Sequence, residues 1–147
     1  MIKIYTIGFT KKTAKQFFSI LNENHIDIVV DVRLNNSSQL AGFSKYPDIE
    51  FFLVMICGIR YKHDLHFTPK ESTLTRYKKK QINWEGYEIE FAQTMHERKV
   101  TEYIKTNYDD NISVCLLCSE PTPEKCHRRL IAEYFKKAFN EVQIIHL

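Results

Sequence analysis

Two periodicities in the placement of apolar residues divide this chain into elements. Residues 2–7 and 26–32 carry apolar side chains as strands do, and the run Ile28-Val29-Val30 is apolar on consecutive positions, as in a sheet covered on both faces. Between them Ala14, Phe17, Phe18 and Leu21 recur at helical spacing, and Thr10 stands where it would cap a helix over 11–24. Residues 35–44 carry turn formers and read as a loop. Pro47 opens a helical stretch through Phe51, Phe52, Val54, Met55 and Ile56, which Gly58 stops. Residues 59–63 form a short third strand, and the polar segment 64–83 fits no single period, with helix expected in part of it. From Trp84 to about residue 98, Tyr87, Phe91 and Met95 share a helical face, and a further helical stretch ends near 107. A strand at 112–117, a helix at 123–139 and a last strand at 142–145 complete the pattern.

Strands alternating with helices predict an α/β fold. The expectation is one domain over 1–147, with a mostly parallel sheet of about five strands and helices on both faces, a Rossmann-like three-layer arrangement. The pattern leaves the strand order open. In any such sheet Gly8, Asp31, Arg33, His63, Cys118 and Glu120 fall at strand ends on the same edge, the carboxyl edge, where open α/β proteins bind ligands.

A chain of 147 residues, 44% hydrophobic and 27% charged, has the length and balance of a globular domain with an ordinary core. No apolar run approaches the ~20 residues of a membrane helix, so no membrane partner is expected. Residues 1–5 enter directly into a strand pattern, which argues against a signal peptide and makes cytoplasmic residence the expectation. The four cysteines, Cys57, Cys115, Cys118 and Cys126, are then reduced thiols. Cys115-x-x-Cys118 has redox spacing, but it lies within a strand, where residues three apart point to opposite faces. The net charge of +3 and pI near 8.6 suit an anionic ligand but fall short of the pI above ~9 of a dedicated nucleic-acid domain.

The densest chemistry lies from Cys115 to Arg129. A strand ends in Cys118 and Glu120, a turn with Pro121 and Pro123 follows, and a helix carries Cys126, His127 and Arg128 in its first turns. Thr122-Pro123-Glu124 has the residues of a helix start. Stepping back four residues puts Cys126 above Leu130 and His127 above Ile131, so both lean toward the sheet, while Arg128 and Arg129 lie nearer the flanks. A helix N-terminus with added arginine suits an oxyanion or phosphate and raises the thiolate fraction of a nearby thiol. No metal site is expected, because Cys118, Cys126 and His127 lack a fourth ligand and adjacent Cys-His is an uncommon ligand pair. No cofactor motif is present. Structural readings stand beside the functional ones: cysteines as small apolar core residues, His127 bonded to a carbonyl, Asp31 and Arg33 as an ion pair fixing a loop, and His63 and His66 as surface histidines.

Tyr5-Thr6-Ile7-Gly8, Val30-Asp31-Val32-Arg33, Gly42-Phe43-Ser44-Lys45, Gly58-Ile59-Arg60-Tyr61-Lys62-His63 and Leu116-Leu117-Cys118-Ser119-Glu120 with Cys126-His127-Arg128 occur in this order. Together they resemble the family known as domain of unknown function 488, over nearly the whole chain. The resemblance implies a small α/β domain, cytoplasmic and microbial, without an established activity. It also shows departures. Many members have His at the position of Phe9, a proline and an arginine where Asn35, Asn36 and Gln39 stand, and Leu-Gly-Gly where this chain has Leu65-His66-Phe67.

Three function classes follow. The first is an enzyme-like or sensor domain that binds a small anionic or nucleotide-like ligand over the carboxyl edge. Gly8 permits close approach, Asp31, Arg33 and Arg128 hold the ligand, Cys118 or Cys126 is a nucleophile, and His127, His63 or Glu120 moves protons. Rhodanese-like sulfur transfer is one variant. The second is nucleic-acid binding through Arg76-Tyr77-Lys78-Lys79-Lys80 with Lys70 and Trp84, which mixes cations and aromatics. The third is a non-catalytic interaction module in which the Cys-His-Arg junction only locks the fold. Whether the chain is an enzyme, and its oligomeric state, are left open by the sequence.

Overall fold

The computed structural model describes residues 1–37, 42–120 and 122–147; Gln39 and Pro121 lie outside the described residues. Five strands form one parallel sheet: β1 (Ile2–Gly8), β2 (Ile28–Asp31), β3 (Arg60–His63), β4 (Val114–Cys118) and β5 (Val142–His146), in the order β3-β2-β4-β1-β5. The helices are α1 (Ala14–Glu23), α2 (Asp48–Phe52, widening into a π-helical turn at Leu53–Cys57), α3 (Glu71–Lys78), α4 (Trp84–Glu97), α5 (Val100–Asn107) and α6 (His127–Ala138). Short 3-10 turns lie at Gly42–Ser44 and Leu65–Phe67. This is a single α/β domain of Rossmann-like, three-layer form.

Alternation along the strands divides the core in two. Ile4, Val30, Val114 and Leu116 face α4, α5 and α6, whose Phe91, Met95, Ile104, Ile131 and Phe135 complete that half. Tyr5, Ile7, Val29, Cys115 and Leu117 face α1 and α2, with Phe17, Phe18, Leu21, Ile49 and Leu53. Cys115 and Cys118 are thus on opposite faces, as strand geometry requires. Among the described residues no helix is long and apolar enough to cross a membrane.

Several expected boundaries move, each for a local reason. α1 is capped by Thr13 rather than Thr10: Lys11 has a positive φ, which breaks the helical run, and Thr13 forms a reciprocal capping box with Gln16. The helical stretch after Pro47 is α-helical only to Phe52 and then widens into the π-helical turn; Ile49 and Leu53 are its buried residues, and Phe51, Val54, Met55 and Ile56 are exposed. α6 begins at His127 rather than at 123. Residues 122–125 form turns, Cys126 is the N-cap in extended conformation, and no side chain caps it. Gly58 does end its helix, in the left-handed conformation. The polar segment after β3 resolves into the Leu65–Phe67 turn and α3.

Candidate active site

The connections from β2 and β4 leave the sheet in opposite directions and onto opposite faces, since β2 leads to β3 and α2 while β4 leads through α6 to β5. Their carboxyl ends therefore open a crevice at a topological switch point, where an α/β sheet offers its loops to a ligand. The register places Gly8 opposite Cys118, and Asp31 opposite both Leu117 and His63.

On the β2 side, Asp31 and Arg33 form a buried bidentate pair. Arg33 Nε donates to Oδ1 and Nη2 to Oδ2, both at 2.8 Å, and Nη2 also donates to the Ser44 carbonyl. Tyr61 OH donates to Asp31 Oδ2 at 2.6 Å, and burial next to that carboxylate pushes the Tyr61 hydroxyl pKa up. The Arg33 guanidinium lies over the Phe9 ring at 5.2 Å. Arg33 Nη1 is buried and has no hydrogen-bond partner among the described residues.

On the β4 side, Cys118 Sγ is 3.7 Å from His127 Nδ1, and His127 Nε2 is 2.6 Å from the Val32 carbonyl. A carbonyl only accepts, so Nε2 carries a proton and in the neutral ring Nδ1 presents its lone pair to the thiol. That is the order of nucleophile, base and orienting group. Cys126 completes the cluster. Its S–H donates to Cys118 sulfur, which holds the Cys118 pKa down against the opposing cost of burial; the Ser119 N–H and the Arg128 charge add to the lowering. The same hydrogen bond, together with burial, pushes Cys126 up. Burial alone pushes up Cys115, on the far face.

Arg128 does not lie on a flank. It shares the buried face of α6 with Ile131, Ala132 and Phe135 and is itself fully buried, with Nη1 2.5 Å from the Glu120 carbonyl and Nε and Nη2 unpartnered among the described residues. It braces the β4–α6 loop against β1, where a Cβ on Gly8 would come within 1.7 Å of the Glu120 carbonyl oxygen. Lys12 Nζ donates to the Gly8 carbonyl nearby, and burial, then the Arg128 charge, lowers its pKa.

The crevice is roofed by α3 and the start of α4. Arg33, Leu34, Lys78, Tyr77, Trp84 and Tyr87 share a cavity of about 330 Å³ with Cys118, Glu120, Lys125, Cys126 and His127. Tyr87 stacks on Trp84 at 4.9 Å and Tyr77 packs against both, so one wall is flat and aromatic while the base carries cations. α3 is held there by Arg76, which pairs with Glu90 of α4, and by Thr73 Oγ1, which donates to the same carboxylate. A larger cleft of about 570 Å³ between α1 and α2 is mainly apolar and lies on the other face of the sheet, away from the thiol–imidazole pair.

Residues 13–135 match the family described as Domain of unknown function DUF488. The chain belongs to that family. No curated protein and no solved structure matches it. The DUF488 match takes in Asp31, Arg33, His63, Cys118, Glu120, Cys126, His127 and Arg128 and begins after Gly8.

Within this DUF488 domain the named residues separate into three places. Arg33, Cys118, Glu120, Cys126 and His127 line the crevice, whereas Asp31, Gly8 and Arg128 are buried behind it as supports. His63 turns aside: its Nε2 meets the Arg33 carbonyl at 2.6 Å, and it lines a separate hollow with Asn36, Tyr46 and Tyr61. His66 stacks on Tyr103 at 3.7 Å and bonds Asp64. Lys125 and Tyr87 were not among the expected site residues. Their only sequence signal is position, Lys125 beside Cys126 and Tyr87 on the buried face of α4; that α4 meets the crevice is a tertiary fact.

Proposed function

We propose that this DUF488 domain is an enzyme-like or sensor domain that holds a small anionic, nucleotide-like ligand in the β2–β4 crevice and presents the Cys118 thiol to it. Arg33 Nη1 carries the reading. It is a buried guanidinium nitrogen without a hydrogen-bond partner among the described residues, on a residue that lines the same cavity as the thiol–imidazole pair. A buried unsatisfied donor costs about 1–3 kcal/mol, a cost that an oxyanion accepting from it removes. Lys78 and Lys125 add positive charge, and the Trp84–Tyr87 stack offers a base a flat apolar surface. His127 Nδ1 accepts the thiol proton and leaves Cys118 as the thiolate, with the Val32 carbonyl holding the ring. The basic segment that would bind nucleic acid is largely built into this wall: Arg76 pairs with Glu90, and Tyr77 and Lys78 line the cavity.

The test uses AMP and inorganic phosphate on reduced, chelator-treated protein. AMP binds more tightly than phosphate, Lys125→Ala and Trp84→Ala each weaken AMP at least about fivefold, and saturating AMP slows iodoacetamide alkylation of Cys118 located by mass spectrometry. If neither compound protects Cys118, and Lys125→Ala changes nothing, the crevice is not an anion site.

A further inference from the structure

The sequence offers three soft ligand residues and no fourth, and on spacing alone that counts against a metal. The fold changes the terms. Cys118 Sγ, Cys126 Sγ and a ring nitrogen of His127 all lie within 4.8 Å of one another, and Cys118 Sγ is 3.7 Å from His127 Nδ1. Zinc–thiolate bonds of about 2.3 Å and zinc–imidazole bonds of about 2.0 Å at tetrahedral angles require donor separations of roughly 3.5–3.8 Å. The trio needs less than about 1.3 Å of closure, within the reach of side-chain torsions. Adjacent Cys126 and His127 converge because the backbone changes from extended to helical between them. Cys126 is extended, with φ −140°, and His127 is the first helical residue, so the ~100° divergence of neighbours on a helix does not apply.

The second requirement of a ligating histidine is also met. Its other nitrogen should donate to a fixed acceptor, which orients the ring and leaves the ligating nitrogen bare. His127 Nε2 does this with the Val32 carbonyl at 2.6 Å. All three residues are buried, and all three line the crevice. An ion held by them would be closed behind by protein and open in front, the three-ligand arrangement that keeps a fourth position for water or substrate. Two thiolates cancel the charge of a divalent ion, so the neighbouring Arg33 and Arg128 need not be displaced.

We infer that Cys118, Cys126 and His127 form a binding site for a soft metal ion of the zinc class, with the fourth coordination position opening into the β2–β4 crevice. Binding replaces the thiol protons, which leave to solvent, and changes no oxidation state. The inference is independent of the anion reading, since it needs neither Arg33 nor the aromatic wall. The two readings meet at Cys118, whose sulfur lone pair is occupied when the ion is present.

The experiment titrates Cd2+ into the full chain, reduced with a phosphine and stripped with a chelator, and follows the thiolate-to-metal charge-transfer absorption. One equivalent is expected, displaceable by Zn2+, and iodoacetamide alkylation of Cys118 falls at least tenfold in the Zn2+ form. Cys118→Ser, Cys126→Ser and His127→Gln each weaken binding by at least about tenfold, while Cys57→Ser, outside the trio, binds as wild type. Because a buried variant can fail to fold, the Co2+ form of the unaltered protein is read as well: tetrahedral d–d bands with sulfur charge transfer support the site. An octahedral Co2+ spectrum, the absence of a charge-transfer band, or Cd2+ affinity that survives in Cys118→Ser overturns it. Loss of AMP binding with the Cd2+ band intact refutes only the anion reading.

Discussion

Gly8 is chosen by contact rather than by torsion. Its Cα faces the Glu120 carbonyl so closely that an added Cβ would sit 1.7 Å from the oxygen, and 3.0 Å from the Arg128 Nη1 that donates to that oxygen. The obstacle is backbone, which no rotamer change relieves. Gly8→Ala is therefore expected to cost about 1–3 kcal/mol of stability, the range for overpacking a tight interior, as read by urea unfolding. Neutral behaviour would mean that the β1 and β4 ends are further apart than described. The same scale accounts for Arg128: at helical spacing it shares a face with Ile131, Ala132 and Phe135, the buried stripe of α6, whereas the Leu130–Tyr134 stripe that apolarity favours is only half-buried.

Elements are held where they are by their ends as much as by their faces. α1 starts with a reciprocal pair: Thr13 Oγ1 accepts from the Gln16 N–H, and Gln16 Oε1 accepts from the Thr13 N–H. Thr13→Ala should cost about 1 kcal/mol, and for a chain of this size that lowers Tm by about 3 °C in a thermal melt. Thr10→Ala should leave Tm unchanged, which separates the observed cap from the one that spacing suggested. α3 shows a different dependence. It has few apolar residues of its own and is held to α4 by Arg76, Thr73 and the Tyr77 ring, so its position over the crevice depends on side chains remote in sequence.

At the scale of the whole molecule, Asp64 ties the end of β3 to the helical layer. Its carboxylate is about 1% exposed and accepts from Tyr108 OH at 2.6 Å, Tyr103 OH at 2.8 Å and the His66 N–H at 3.1 Å, with Lys62 Nζ at 3.2 Å. Burial alone would raise its pKa, but these hydrogen bonds and the Lys62 charge outweigh burial, and the net shift is downward. A carboxyl whose folded pKa lies below its unfolded value of about 3.9 contributes stability that is complete above that value and is lost as pH falls through the folded pKa. The wild-type acid-unfolding curve should therefore carry a limb below about pH 4 that Asp64→Asn flattens. At pH 7 the variant should be about 2 kcal/mol less stable. An Asp64→Asn curve parallel to wild type down to pH 2 would mean that the network does not hold the charged form.

The sequence by itself determined the five strands, the parallel α/β architecture and the set of residues at the carboxyl edge, because alternation of apolar positions and short connections are local properties of the chain. It also determined that Cys115 and Cys118 face apart, through the two-residue period of a strand. Tertiary structure alone decided which edge residues meet. His63 and Arg33 follow neighbouring strands, yet only Arg33 enters the crevice, since the two side chains are drawn to different partners. The strand order, the roof of α3 and α4 and the convergence of Cys118, Cys126 and His127 likewise come from packing between distant segments. Those contacts depend on shape and burial across the whole domain, which no window of the sequence contains.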